Sequence, residues 1–297
     1  MIRPLAQKDL PQLVDLLTWM DQDASRGVLS PESRSPEGLY WEVLALGGEA
    51  DWEALVVEED GQLLGYAALY PFWEGGALEG PLVRGPEGKK LLEKIIARAK
   101  ARGYPTLHAF PQESNRPLRR MLEEAGFAAQ HTTYFFAIPR TDLTYPPPSD
   151  VRIVVDEPPD PETYRKLYQA CEDNWAQRLS WSDDDLLEHF EDNEVTLLVA
   201  YRLADGALHE PLGMVELERD DDWAEVAYIG VIPERRGQGI GRALLGAAAN
   251  LAFADPQVQK LRVRAHDHEK AAMELYRRLG FQLEEAVVTY ALDLDQA

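Results

Sequence analysis

The pattern of apolar and polar positions runs through the chain twice. After a short strand at 2–5, the polar run Gln7-Lys8-Asp9 opens a helix with Leu10, Leu13, Leu16 and Leu17 on one face. Residues 25–38 are polar and contain prolines, and read as a loop. Ala54 to Glu58 and Gly65 to Tyr70 read as strands joined by the turn Glu59-Asp60-Gly61. A helix over Lys90 to Arg102 turns Leu91, Leu92, Ile95, Ile96 and Ala99 inward. A strand at Thr106 to Phe110, a helix at Arg116 to Ala125 stopped by Gly126, and a strand at Tyr134 to Ile138 follow.

Residues 139–150 read PRTDLTYPPPSD, and three consecutive prolines exclude a helix there. This predicts a linker at 141–150 between a domain over 1–140 and another over 151–297. Beyond it the order restarts. Val151 to Val155 is a strand and Asp160 to Gln177 is largely helix. Ser182, with Asp183 to Asp185, caps a further helix, the acids lying where the helix dipole favours them. Strands at Val195 to Tyr201, Leu212 to Glu218 and Leu261 to Ala265, a helix at Glu269 to Leu279 stopped by Gly280, and a last strand at Glu285 to Asp293 complete the half. SNRPLRRMLEEAGF (114–127) and HEKAAMELYRRLGF (268–281) are both helices closed by Gly-Phe. DGQLLGYAALY (60–70) and HEPLGMVELE (209–218) both read as a turn followed by an apolar strand, so the halves look like an internal repeat.

One stretch stands out from this rhythm. Glu225 to Ile232 is a β-branched and aromatic run ended by Pro233. Arg236-Gly237-Gln238-Gly239-Ile240-Gly241-Arg242 follows, and then Ala243, Leu244, Ala247 and Leu251 recur at helical spacing. Strand, glycine turn and helix in that order suit an anion. The first N–H groups of a helix lack partners and carry positive partial charge, glycines let the backbone approach, and Arg236 and Arg242 add full charges. The run is not a dinucleotide-binding loop, which wants its third glycine at a different spacing and an acid about 20 positions on, and no Gly-Lys-Ser/Thr follows as in a Walker loop. The matching stretch of the first half, Val83 to Lys90, keeps Gly85 and Gly88, but Pro86 removes a donor and Glu87 places an anion where phosphate would sit.

Composition narrows the partners. The chain has 297 residues, enough for two domains, and 45% of them are hydrophobic, enough for real cores. Its single cysteine, Cys171, excludes an internal disulfide and fits a reducing, cytoplasmic setting. The start MIRPLAQKDL does not read as a signal peptide, and no apolar run is long enough to span a membrane. Net charge is −22: residues 1–150 hold 15 Lys/Arg against 22 Asp/Glu (−7), and 151–297 hold 15 against 30 (−15). That disfavours nucleic acid and suits a cationic acceptor, although charge of this sign also serves solubility alone.

Arg236-x-x-Gly239-x-Gly241 after Val231-x-Pro233 resembles the acetyl-CoA signature of the GNAT N-acetyltransferases. The resemblance implies an α/β (α+β) protein of two tandem GNAT folds, each a mixed, mostly antiparallel sheet flanked by helices. The first would be a degenerate copy and the second the acetyl-CoA-binding one. It implies an acyltransferase moving acetyl from acetyl-CoA to a primary amine by direct attack in a ternary complex. The alternative is a non-catalytic acyl-CoA-binding or regulatory module. By that likeness Ile229 supplies a free backbone N–H to the thioester carbonyl and Val231 holds the pantetheine amide. Gly230 between them sits where a side chain would crowd the cofactor. Residues 236–242 take the pyrophosphate.

Tyr276, in Leu275-Tyr276-Arg277-Arg278-Leu279-Gly280-Phe281, resembles the family's tyrosine near the thioester sulfur, and a phenol can protonate a departing thiolate. A core aromatic on an amphipathic helix is the plainer reading. The asparagine usual seven residues earlier is Glu269 here. For the base, Glu225 is the first candidate: it lies four residues before Ile229, and residues 225, 227 and 229 of a regular strand share a face. Glu216 and Glu218 are alternatives, and a water chain without a dedicated base is another. His266-Asp267-His268 lacks further ligands at metal spacing and reads as loop polarity, so no metal is expected. Cys171 reads as packing. Trp175, Arg178 and Trp181 fall in the segment that covers the acceptor in the family, and the protein is expected to be a monomer or homodimer.

Overall fold

The structure, a computed structural model, describes residues 1–45, 53–73, 75–156, 159–171, 179–192, 195–220 and 222–295. The first half of the chain gives β1 (Ile2–Pro4), α1 (Leu10–Asp21), α2 (Pro36–Leu39), β2 (Glu53–Glu59), β3 (Gln62–Phe72), β4 (Gly75–Val83), α3 (Gly88–Ala101), β5 (Thr106–Ala109), α4 (Arg116–Glu124) and β6 (Ala128–Pro139). The second gives β7 (Val151–Val155), α5 (Pro161–Ala170), α6 (Asp183–Asp192), β8 (Thr196–Ala204), β9 (Ala207–Arg219), β10 (Trp223–Val231), α7 (Ile240–Ala254), β11 (Lys260–His266), α8 (Lys270–Arg278) and β12 (Gln282–Asp293). The order is mixed α/β and repeats once. The tight hairpin turn after the second strand of each repeat is Asp-Gly with positive φ at both residues, Asp60-Gly61 and Asp205-Gly206.

Two compact units form: Met1–Tyr134 with Glu285–Ala297, and Phe135–Glu284. The division falls inside β6 and β12 rather than in the proline-rich 141–150, because the long strands change units along their length. In the first unit β1-β2-β3-β4-β5 are followed by the end of β12, antiparallel to β5 from Tyr290↔Ala109 to Asp293↔Thr106. Among the described residues the β1–β2, β2–β3, β3–β4 and β5–β12 ladders are antiparallel, and β4–β5 is parallel. The leucines at 13, 16 and 17 and the α3 residues Leu91, Leu92 and Ile95 are at most 1% exposed, as their spacing predicts, and Tyr290 of β12 joins that core at 0%.

The second unit orders its strands β11-β10-β9-β8-β7, antiparallel except for β10–β11. The end of β6 packs into it: Arg262 lies over the Phe135 ring at 4.0 Å, and Phe136 meets Tyr276 at 5.9 Å. Asp160 caps α5 by accepting from Thr163 N at 2.9 Å. Ser182 and Asp185 cap α6 reciprocally, at 3.1 and 3.0 Å, as the sequence pattern suggests. No helix among the described residues is long and apolar enough to cross a membrane.

Candidate active site

β10 is laddered on both edges only at its start. Trp223 to Val226 pair in parallel with Lys260 to Val263, and there the ladder to β11 stops. On the other edge pairing with β9 continues to Val231↔Gly213. The two strands therefore splay, and 227–231 are half-buried where 224–226 are buried. Ile232 N donates to Leu212 O at 3.0 Å. Hydrogen-bonded pairs alternate in an antiparallel ladder, so Gly230 and Tyr228 also face β9. The N–H groups of Ile229 and Val231 consequently point the other way, toward the side β11 has left.

A bulge changes which side chains share a face. Glu225 and Val226 pair with Glu218 and Leu217, but the next rung is Tyr228↔Glu216, leaving Ala227 as an extra residue. The expectation that 225, 227 and 229 share a face is thereby overturned. Glu225 lies with Tyr228, Glu216 and Glu218 on one face. α5 covers this face, through Tyr164 OH donating to Glu216 Oε1 at 2.6 Å and Tyr168 against Tyr228 at 5.0 Å. Ile229 and Val231 lie on the opposite face with α7, where a Cβ on Gly241 would stand 3.7 Å from Val231 Cγ2.

The glycine turn leads from that strand to α7. Gly237 and Gly239 hold φ of 73° and 89°, which a side chain would strain, and a Cβ on Gly237 would meet nothing within 4 Å. Gly239 caps α7 without a side-chain hydrogen bond, so the N–H groups of Ile240, Gly241 and Arg242 start the helix with no intrahelical acceptor. Arg236 is more committed than its sequence position suggests. Its Nε donates to Val231 O and its Nη2 to Cys171 O, both at 2.9 Å, which ties the loop to the ends of β10 and α5. Gln238 Nε2 donates to Glu234 O at 3.1 Å. Arg242 is exposed, with its guanidinium 5.4 Å from the Tyr145 ring. Gly230 has a packing reason: a Cβ there would fall 2.7 Å from both Cys171 Sγ and Tyr228 OH.

Both candidates for proton transfer are buried. Glu225 is 7% exposed and ion-paired to Arg264 at 3.2 Å and Arg262 at 4.0 Å. Desolvation raises its pKa, and the two guanidiniums oppose that shift. Tyr276 is 1% exposed, and desolvation raises its phenol too, so it stays protonated. Its hydroxyl donates to Arg264 O at 3.4 Å, one residue past the last β10–β11 rung. Glu216 is fully buried, with His189 Nε2 at 3.5 Å, and His189 packs on Trp181 at 5.3 Å. Tyr164 and His189 carry no sequence signal for this contact, since nothing in their spacing ties them to a strand carboxylate that lies 52 residues beyond the one and 27 beyond the other. Trp175 and Arg178 lie outside the described residues. His266 and His268 stack at 5.8 Å, and among the described residues no group of three or more potential ligands is placed to hold a metal.

Comparison with known proteins bears on this arrangement. A profile of the acetyltransferase (GNAT) family matches residues 14–127 and again 162–281. The chain is 24% identical over 264 residues to a mycothiol acetyltransferase of Mycolicibacterium vanbaalenii, covering 85% of this chain and 87% of that one. A GCN5-related N-acetyltransferase from Sphaerobacter thermophilus superposes with a TM-score of 0.74 at 19% identity, over 99% of this chain and 95% of that one. A tandem GNAT protein from the clavulanic acid biosynthesis pathway gives 0.67 at 16% identity, over 99% and 98%. With the profile matching once in each half, the chain belongs to the acetyltransferase (GNAT) family and carries two GNAT domains in tandem.

Proposed function

We propose that the protein is an acetyl-CoA-dependent N-acetyltransferase acting on a primary amine, with the chemistry in the second unit. The observation that carries this reading is the splay of β10 from β11, which aims the Ile229 and Val231 N–H groups at an edge that, among the described residues, no strand pairs with. A thioester carbonyl laid along that edge takes the Ile229 N–H, which stabilises the oxyanion of the addition step, and Val231 N–H holds the pantetheine amide. The uncapped start of α7, with Gly237 to Gly241 and Arg242, takes the pyrophosphate.

A donor seated from the α7 face leaves the opposite face, that of Glu225, Tyr228 and Glu216, for the acceptor. Attack forms the C–N bond and breaks the C–S bond. The amine proton passes to Glu225, directly or through water, and the Tyr276 hydroxyl protonates the leaving sulfur. Three glutamates on that face and the −15 charge of residues 151–297 favour a cationic acceptor. The depth of Tyr276 and the ion pairs of Glu225 favour a second reading, an acyl-CoA-binding module without turnover. Release of free thiol from acetyl-CoA, followed across a panel of primary amines and polyamines, separates the two. Amine-dependent release supports the transferase. Tight acetyl-CoA binding with no release on any amine supports the module.

A further inference from the structure

The two units can be compared position by position along their fourth strands, β4 and β10. β4 runs parallel to β5 only over Gly76 to Leu78, as β10 does with β11 only up to Val226. Farther on, Val83 pairs with Gly65 as Val231 pairs with Gly213, five positions beyond the last parallel rung in both strands. Each strand carries one extra residue between those points. Leu78 thus takes the place of Val226, Val83 that of Val231, and Pro81 falls where Ile229 stands. Proline has no N–H, so the first unit lacks the donor that the second aims into its gap.

The gap beside β4 is also filled. Gly80 N donates to Leu29 O at 2.9 Å, Leu29 N to Phe110 O at 3.2 Å and Gln112 N to Gly27 O at 3.0 Å, and Val28 bridges Pro111. The segment 27–29 is therefore bonded to β4 on one side and to the chain leaving β5 on the other. β4 is buried from Gly75 to Leu82, whereas β10 is half-buried from Ala227 onward. The turn to the following helix is shortened as well: four residues separate Val83 from Gly88, and eight separate Val231 from Ile240.

We infer that Gly27–Leu29 is a built-in occupant of the first unit's thioester slot, lying where a pantetheine arm would lie, so that the chain takes up one acyl-CoA, in the second unit. The count of one rests on the acetyl-CoA reading of the second unit; the closure of the first unit does not. The test is amide hydrogen exchange on the full chain, free and with saturating acetyl-CoA, together with the calorimetric stoichiometry. In the free protein the Gly80, Leu29 and Gln112 amides should exchange at least about tenfold more slowly than those of Ile229 and Val231. Acetyl-CoA should slow only the latter pair, with one site per chain. Gly80 and Leu29 exchanging as fast as Ile229, acetyl-CoA altering their rates, or two sites per chain would each overturn the inference. No binding, with Gly80 and Leu29 still slow, would overturn the count of one and the acetyl-CoA reading while upholding the closure.

Discussion

Gly241→Glu separates ligand binding from folding at the candidate site. Position 241 is in the first turn of α7 with ordinary helical backbone, and a Cβ there makes only van der Waals contacts, 3.7 Å from Leu275 Cδ2 and Val231 Cγ2. Replacing glycine in a helix contributes about 0.5–1 kcal/mol. A carboxylate in the first turn adds roughly 0.3–1 kcal/mol through the helix dipole. The variant should therefore melt no lower than the wild type. Its charge, however, stands where the pyrophosphate is proposed to lie. One carboxylate facing two phosphate charges at about 5 Å, with an effective dielectric near 40, is repelled by roughly 3 kcal/mol. That corresponds to a loss of affinity of about two decades. Calorimetric titration with acetyl-CoA, beside thermal unfolding of both proteins, measures both effects. Unchanged affinity in a variant that is no less stable would refute the placement of the phosphates at the start of α7.

Further expectations concern proton transfer, the exchanged strands and one buried acid. Tyr276→Phe should lower kcat by about 10²-fold or more with little change in KM for acetyl-CoA, while stability falls by no more than about 1 kcal/mol; a kcat within twofold of wild type would make Tyr276 a core aromatic and nothing else. Deleting residues 285–297 removes Val288, Tyr290 and Leu292 from the first core and the rungs to β5, so the first unit should lose its cooperative unfolding transition, seen by hydrogen exchange across α1 and α3. Glu79 is 3% exposed, accepts from Tyr66 OH, and is pushed up to about 8 by burial. From about pH 4.5 to 8 the unfolded chain ionises this carboxyl while the folded one keeps its proton, so its contribution to stability falls as pH rises. Relative to its effect at pH 5, Glu79→Gln should stabilise the protein at pH 8 by a further ~3–4 kcal/mol, as read from denaturant midpoints; an equal effect at both pH values would show that Glu79 does not hold its proton.

What the residue pattern disclosed follows from what such patterns encode. Leucine spacing on α1 and α3, the Gly-Phe stops after α4 and α8, and the strand–glycine–helix order at 225–254 are local signals, and each is met in place. The exchange of β6 and β12 between units was not legible, because alternation reports that a strand forms and not which neighbour it pairs with. The bulge at Ala227 has no side-chain signature, yet it moves Glu225 to the face opposite Ile229. Arg236 looks like a phosphate ligand in sequence, but two of its donor groups are used by the carbonyls of Val231 and Cys171, a long-range contact. The equivalence of Pro81 and Ile229 is set by the pairing of Val83 with Gly65 and of Val231 with Gly213, a cross-strand relation that no local pattern encodes.

The central claim is that the open edge of β10 is where the acetyl group is held, and a structure of the protein crystallised with acetyl-CoA tests it most directly. The acetyl carbonyl oxygen should then lie within hydrogen-bond distance of Ile229 N, the pantetheine amide on Val231 N and the pyrophosphate at the start of α7. A ligand bound elsewhere, with both N–H groups still facing an empty edge, would contradict it.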